Sequence, residues 1–184
     1  MVYEKKYDYS DMVKGIIPRN ADAFAFGTLR IALGWIWLWA FFDKFLGLGF
    51  ATTPEKAWIN GNSPITGYLK FATNPESPFY TFFSKDLVNF AGILDFLMMG
   101  MFIFVGISLI FGIFIRLASL SAIVFMLSIY LGNIPLVNNP IIDDHIIYTL
   151  VLLVFFFTPT VGKYIGFGNK WQSINVVQKY PILK

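Results

Sequence analysis

Long apolar runs separated by short clusters of charge, proline and glycine set the pattern of this chain. Four runs stand out, Phe24 to Phe42, Phe90 to Ile115, Leu117 to Val137 and about Ile141 to Gly162. Crossing a hydrocarbon core about 30 Å thick takes roughly 20 helical residues, so each run predicts a transmembrane helix. The first contains one charge, Arg30, the second one, Asp95, and the third none, while the fourth carries Asp143, Asp144 and His145 at its leading end. The expected fold is therefore all-α, a four-helix transmembrane bundle occupying residues 22–168, between an N-terminal segment 1–21 and a C-terminal tail 169–184. Because lipid supplies little hydrophobic drive between helices, close packing must hold the bundle. Ser108 with Gly112, and Ala118 with Ala122, stand four apart as expected small contact pairs.

The connection between the first two runs, about residues 47–89, is too long for a structureless loop in a compact protein and predicts elements of its own. Thr53-Pro54, Ser63-Pro64 and Ser77-Pro78 each set a capping hydroxyl before a proline. That is a favoured helix start, because proline at the first helical position loses no hydrogen bond. The segments that follow, "EKAWI", "ITGYLKFA" and "FYTFF", are amphipathic or aromatic. They predict short interfacial helices forming a lid, with Trp58, Tyr68, Phe79, Tyr80, Phe82 and Phe83 at the lipid boundary or the bundle mouth.

Composition agrees with a membrane protein: 57% of the 184 residues are hydrophobic and 14% charged, about half the charged share of an ordinary soluble domain. The first twenty residues are charged and lack an apolar core before a small-residue cleavage site, so the first spanning helix is expected to act as its own insertion signal. Without cysteine the chain offers no disulfide, no thiolate nucleophile and no thiolate-bound metal. Any redox chemistry needs a borrowed or diffusible carrier. The net charge of +3 comes from cations that flank helices instead of forming a nucleic-acid-binding block.

Those cations orient the bundle. Lys5, Lys6, Lys14, Arg19, Arg116, Lys163, Lys170, Lys179 and Lys184 fall on one side, against Lys44, Lys56, Lys70 and Lys85 on the other. The positive-inside rule then places both termini in the cytoplasm, in a multi-pass plasma-membrane protein whose active face points outward.

Ionisable residues within spanning segments are costly and are functional candidates by default. Arg30, Gly34, Trp37, Phe41 and Lys44 fall on one helical stripe, aromatic rings between two cations, which suits an inward face holding a flat aromatic ligand; snorkelling of Arg30 to the headgroups is the alternative. Lys44 at the outer mouth can partner Asp95, Asp143 or Asp144, or serve as an interfacial anchor. Asp144, His145 and Tyr148 open the fourth helix at spacings that let carboxylate, imidazole and phenol meet, a set able to relay protons. Capping explains one aspartate there but not the whole cluster. A single histidine without cysteine makes a poor transition-metal site, so no metal is expected.

The strings "DKFLGLGFAT", "AWINGNSP" and "DDHIIYTL", with the looser "IRLASL", resemble the DoxD branch of the DoxX-like membrane proteins from about Phe26 to Gly168. The aromatic, isoleucine-rich composition suits a thermophilic archaeal member. The resemblance implies the large membrane subunit of a thiosulfate:quinone oxidoreductase working with a small DoxA-type subunit, joining two thiosulfate ions to tetrathionate and passing two electrons to a membrane quinone. No residue roles come with it. From the residues themselves, His145, Asp144 and Tyr148 are the candidate catalytic set; Lys44, Arg30 and Asp95 the candidate substrate-binding set; and Trp37, Phe41, His145 and Tyr148 the candidate quinone slot. Two rival readings stand beside this one, a non-catalytic membrane anchor for a redox complex and a small-solute transporter. Against transport, four helices show no inverted repeat.

Overall fold

The computed structural model describes residues 21–184, so the expected cytoplasmic segment before Ala21, with Lys5, Lys6, Lys14 and Arg19, lies outside the described residues. All regular structure among the described residues is helical. Three helices, Ala21–Leu46, Phe82–Phe111 and Ile115–Asn133, are long and apolar enough to cross a membrane, which makes this a membrane protein. We label the main helices α1 (Ala21–Leu46), α2 (Ala91–Phe111), α3 (Ile115–Asn133) and α4 (Asp144–Phe157). α1 packs on α2, α2 on α3 and α3 on α4.

Each boundary has a local cause. α2 stops because Gly112 takes a left-handed φ of 77° and the amides of Gly112 and Ile113 both return to the Ser108 carbonyl, at 2.9 and 3.0 Å, a glycine-terminated helix end. Gly112 is thus a helix stop set against Gly162, where the sequence had paired it with Ser108 as a packing contact. α3 ends where Ile134, held extended at φ −70° and ψ 137°, precedes Pro135, since proline disfavours helical backbone in the residue before it.

α4 is shorter than the run from Ile141 to Gly162 predicts. Asp143 caps its start, and Thr158, ahead of Pro159, leaves the helical region at φ −119° and ψ 65°. Its 14 residues reach about 21 Å at 1.5 Å per residue, less than a hydrocarbon core. A tight 3₁₀ segment, Pro159–Lys163, follows it.

The connection 47–89 contains short helical turns at Pro54–Lys56, Trp58–Asn60 and Pro64–Gly67, the last continuing as a π-helical stretch through Ala72. A further stretch from Phe82 runs directly into α2, so the second long helix begins inside the connection. Helical turns start directly at Pro54 and Pro64, and at Tyr80 two residues past Pro78; Ser63 Oγ accepts from the Thr66 amide at 3.3 Å, and Ser77 Oγ accepts from the Phe79 amide at 3.2 Å. Thr53 makes no side-chain cap.

Backbones approach most closely where α1 crosses α2. A Cβ on Gly34 would stand 2.9 Å from the Ile110 nitrogen, and one on Gly106 would stand 2.9 Å from Leu38 Cβ. Small residues at such a crossing substitute close packing for hydrophobic drive. Ala118 and Ala122 of α3 are fully buried as well. Around these contacts lies a core of Leu33, Trp37, Met99, Phe102, Val105, Leu109, Leu152 and Phe155.

Helix ends carry the main polar demand, because the last carbonyls of a helix lack intrahelical donors and a bilayer core offers no water to replace them. Every one of the last four carbonyls of α2 is satisfied. Ser108 takes the two amides already named, Leu109 and Ile110 take the Arg30 guanidinium, and Phe111 takes the Phe167 amide at 2.8 Å. The C-terminal end of α3 is closed by the long connection: the Asn74 amide reaches Gly132 O at 2.9 Å, Ser77 Oγ reaches Leu131 O at 2.9 Å and Asn74 Nδ2 reaches Pro135 O at 3.0 Å. At the other end of α3, the Arg116 amide donates to the Lys184 carbonyl at 2.9 Å, and Phe114 packs tilted against Trp171 with ring centres 4.2 Å apart.

Candidate functional site

Two cavities flank the connection at the end of the bundle where α1 ends and α2 and α4 begin. The larger, about 620 Å³, is polar and open, and is lined by Asn74, Asn133, Asn138, Asn139, Asp143, Asp144 and His145 with Phe71 and Val137. The turn that leads into α4 builds one wall. Asn139 Oδ1 accepts from the amides of Ile141 and Ile142 at 2.9 and 3.0 Å, and the Tyr130 hydroxyl donates to Ile141 O at 2.7 Å.

Asp143 then has two tasks. One oxygen caps α4 by accepting from the Ile146 amide at 3.2 Å, and the other meets His145 Nδ1 at 2.7 Å. Burial by itself pushes the Asp143 carboxyl up, but the hydrogen bonds from His145 and Ile146 and the attraction of the imidazole outweigh it and hold the group below the usual carboxylate range. A carboxylate on Nδ1 fixes the orientation and tautomer of the ring and leaves Nε2 as its proton-exchanging atom. Asp144 lies exposed on the same cavity, whereas Tyr148 turns away and packs against the apolar core. His145 therefore pairs with Asp143, and the Asp144–His145–Tyr148 patch expected from helical spacing does not line one cavity. Asp143 stands outside the patch that helical spacing predicts because it precedes the helix, extended at φ −122° and ψ −175°.

The second cavity, about 420 Å³, is bounded by α2, α3 and the connection. Its walls are largely apolar, among them Leu69, Phe83, Leu97, Met98, Met101, Phe102, Val124 and Phe125, and Lys44 is the sole charged residue lining it. Three hydroxyls also line it, each already donating to a carbonyl: Tyr68 to Ile129 at 3.2 Å, Ser121 to Leu117 at 2.9 Å and Ser128 to Phe125 at 2.7 Å. Burial, partly countered by a hydrogen bond from Thr73, pushes the Tyr68 phenol up to about 12, so it remains a donor. Ser121 and Ser128 went unremarked in the sequence, although their seven-residue spacing puts them on one face of α3.

The other candidate residues lie apart from both cavities. Trp37 is 2% exposed and presses edge-on against Phe102 and Phe125 at 5.6 and 5.7 Å, while Phe41 stacks on Phe45 at 5.4 Å. Neither cavity brings Trp37, Phe41, His145 and Tyr148 together; Trp37 instead backs two of the rings that wall the apolar cavity. Asp95, 3% exposed, accepts from the Ile65 amide at 2.9 Å and so holds the first turn of the Pro64–Gly67 helix. Arg30 is completely buried at the far end of α1, donating to Leu109, Ile110, Tyr164 and Ile165. Fourteen residues separate it from Lys44, about 21 Å along the helix, so the two cations of the expected stripe do not share one ligand. Asp43, beside Lys44, is spent on the amides of Phe50 and Ala51 at 3.2 and 3.0 Å. Among the described residues no group of acidic, histidine or cysteine side chains is arranged to hold a metal ion. Comparison with protein-family models, with curated protein sequences and with solved structures returns no match for this chain.

Proposed function

We propose that this chain is the membrane subunit of a thiosulfate:quinone oxidoreductase, and that it works with a small DoxA-type subunit. The observation that carries this reading is the His145–Asp143 pair, oriented at 2.7 Å on the wall of an open polar cavity within the motif "DDHIIYTL" on which the family resemblance rests. In this reading α4 and the following Pro159–Lys163 turn complete a fourth crossing, both termini are cytoplasmic, and the two cavities face outward.

The chemistry divides between them. Joining two thiosulfate dianions to tetrathionate releases two electrons and no proton, and a quinone accepting those electrons takes up two protons to become a quinol. In this reading His145 Nε2, with Nδ1 held by Asp143, is the group that passes protons taken from the polar cavity. Asp144 on the same wall replenishes them from water. Lys44 supplies positive charge where water is scarce, which is where a cation most strongly favours an anion or a developing negative charge. The apolar cavity, adjoining Lys44, suits a flat ring with a hydrocarbon tail. Because the chain has no cysteine, a covalent sulfur intermediate would require a thiol on the partner.

A second reading, a non-catalytic anchor, draws support from Arg30, Asp43 and Asp95, whose side-chain hydrogen bonds all go to backbone groups. One assay separates the two. Thiosulfate-dependent quinol formation is measured on the purified chain with its copurified partner, in wild type and His145→Gln. The catalytic reading expects turnover to fall in the variant by about 10²-fold or more, the usual contribution of a general acid–base group. Equal turnover would leave this chain as an anchor.

A further inference from the structure

The apolar cavity has a feature that the redox reading does not use: its rim lies on the flank of the bundle. Leu97 of α2 and Val124 of α3 both line it, yet are 64% and 62% exposed. Both sit well inside helices long and apolar enough to cross a membrane, so the surface they share faces lipid and the mouth of the cavity opens sideways into the hydrocarbon layer. A ligand entering there comes from the membrane.

Inside, hydrogen-bonding capacity is one-sided. The three hydroxyls already donate to carbonyls, which leaves the Lys44 ammonium as the donor available to a guest. An ammonium has three donors and no acceptor. The guest's head must therefore accept hydrogen bonds or carry negative charge. Its body must be apolar and flat or chain-like, to lie among Met98, Met101, Phe102 and Phe125. The spacing of Ser121 and Ser128 on one wall gives the cavity a length of about 10 Å along α3.

We propose that this cavity is a lateral binding site for a membrane-borne ligand whose carbonyl or carboxylate head is held by Lys44 and whose apolar body lies between α2 and α3 beneath the connection. A quinone carbonyl and the head of an acidic lipid share this chemistry. The inference rests on the redox reading only for the choice of quinone as one of two probes.

The test uses the full chain in phosphatidylcholine nanodiscs and two photoreactive probes with the same decyl diazirine tail, one ending in a benzoquinone and one in a carboxylate. Cross-linked peptides are mapped at increasing probe concentration. Saturable labelling of the segments 94–102 and 121–129 by either probe, competed by its unlabelled analogue, is the expected result. Which probe saturates identifies the source of the head. Lys44→Met should weaken that labelling about ten-fold or more, the size of one charge-assisted hydrogen bond. Val124→Trp, a change at an exposed rim position that disturbs no core contact, should block entry. Non-saturable labelling spread over the lipid-facing surface, or saturable labelling indifferent to both variants, would overturn the proposal. The redox reading fails separately. Saturable labelling without thiosulfate-dependent turnover leaves the cavity assigned and removes the oxidoreductase, whereas turnover with an unlabelled cavity does the reverse.

Discussion

Replacing Arg30 by methionine removes the polar closure of α2 while keeping much of the side-chain volume. In the native protein its guanidinium donates to Leu109 and Ile110 in the last turn of α2 and to Tyr164 and Ile165 in the turn beyond α4, at 2.7 to 3.0 Å for three of the four contacts. The helix dipole adds to this, since a cation at a helix C-terminus is favourable. Leaving a buried carbonyl unpaired costs about 1–3 kcal/mol. Three of these four contacts are only part-buried and regain some partners after relaxation, so the loss expected for Arg30→Met is about 3–5 kcal/mol. For a chain of this size each kcal/mol lowers the melting temperature by about 2–4 °C, giving a fall of roughly 6–20 °C. Arg30→Lys should lie between, because one ammonium cannot span the separated carbonyls that the planar guanidinium reaches. The assay is thermal unfolding in one detergent, with the KM for thiosulfate, the proposed substrate, measured on the same preparations below the transition. Unchanged melting together with a raised KM would refute the reasoning and return Arg30 to the substrate.

Further outcomes follow from other contacts. Gly34→Ala should destabilise the bundle by about 1–3 kcal/mol, since its Cβ would meet the α2 backbone at 2.9 Å; thermal unfolding checks this, and an unaltered transition would mean that the α1–α2 crossing is looser. Asp143→Ala should cost about 1 kcal/mol from the lost cap and change the pH dependence of stability. The carboxyl is held below its ordinary value in the folded chain, so its contribution is complete above the unfolded value near 3.9 and is lost as pH falls through the lower folded value. Melting scans of wild type and variant should therefore converge in acid and separate toward neutral pH. Ser77→Ala removes a donor from Leu131 O at the end of α3 and should raise amide hydrogen exchange in that last turn while leaving α1 unchanged.

The three long helices were legible because an uninterrupted apolar run leaves the backbone few alternatives in lipid. Their ends were less so. Thr158-Pro159 and Ile134-Pro135 signal helix stops, but both lie inside segments whose average hydropathy reads as continuous span. Candidate polar residues were visible as costly exceptions, yet their roles were not, because cost in a membrane is relieved equally well by a substrate and by an unpaired carbonyl. Arg30 shows the point: its partners are 79 to 135 residues away, and no local pattern announces them. Lys44 looked similar in sequence and lines a cavity instead. The His145–Asp143 pair escaped helical spacing because Asp143 precedes the helix.

The polar residues thus fall into two sets, with Arg30, Asp43 and Asp95 closing backbone ends and Lys44, Asp143 and His145 facing cavities. Turnover at matched folded fraction, measured for Asp95→Asn and His145→Gln in the complex with the proposed partner subunit, tests that division most directly. Asp95→Asn should melt earlier than wild type and keep its turnover per folded molecule, while His145→Gln should melt close to wild type and lose turnover by about 10²-fold. The opposite pattern, with Asp95→Asn inactive though folded and His145→Gln fully active, would contradict the account.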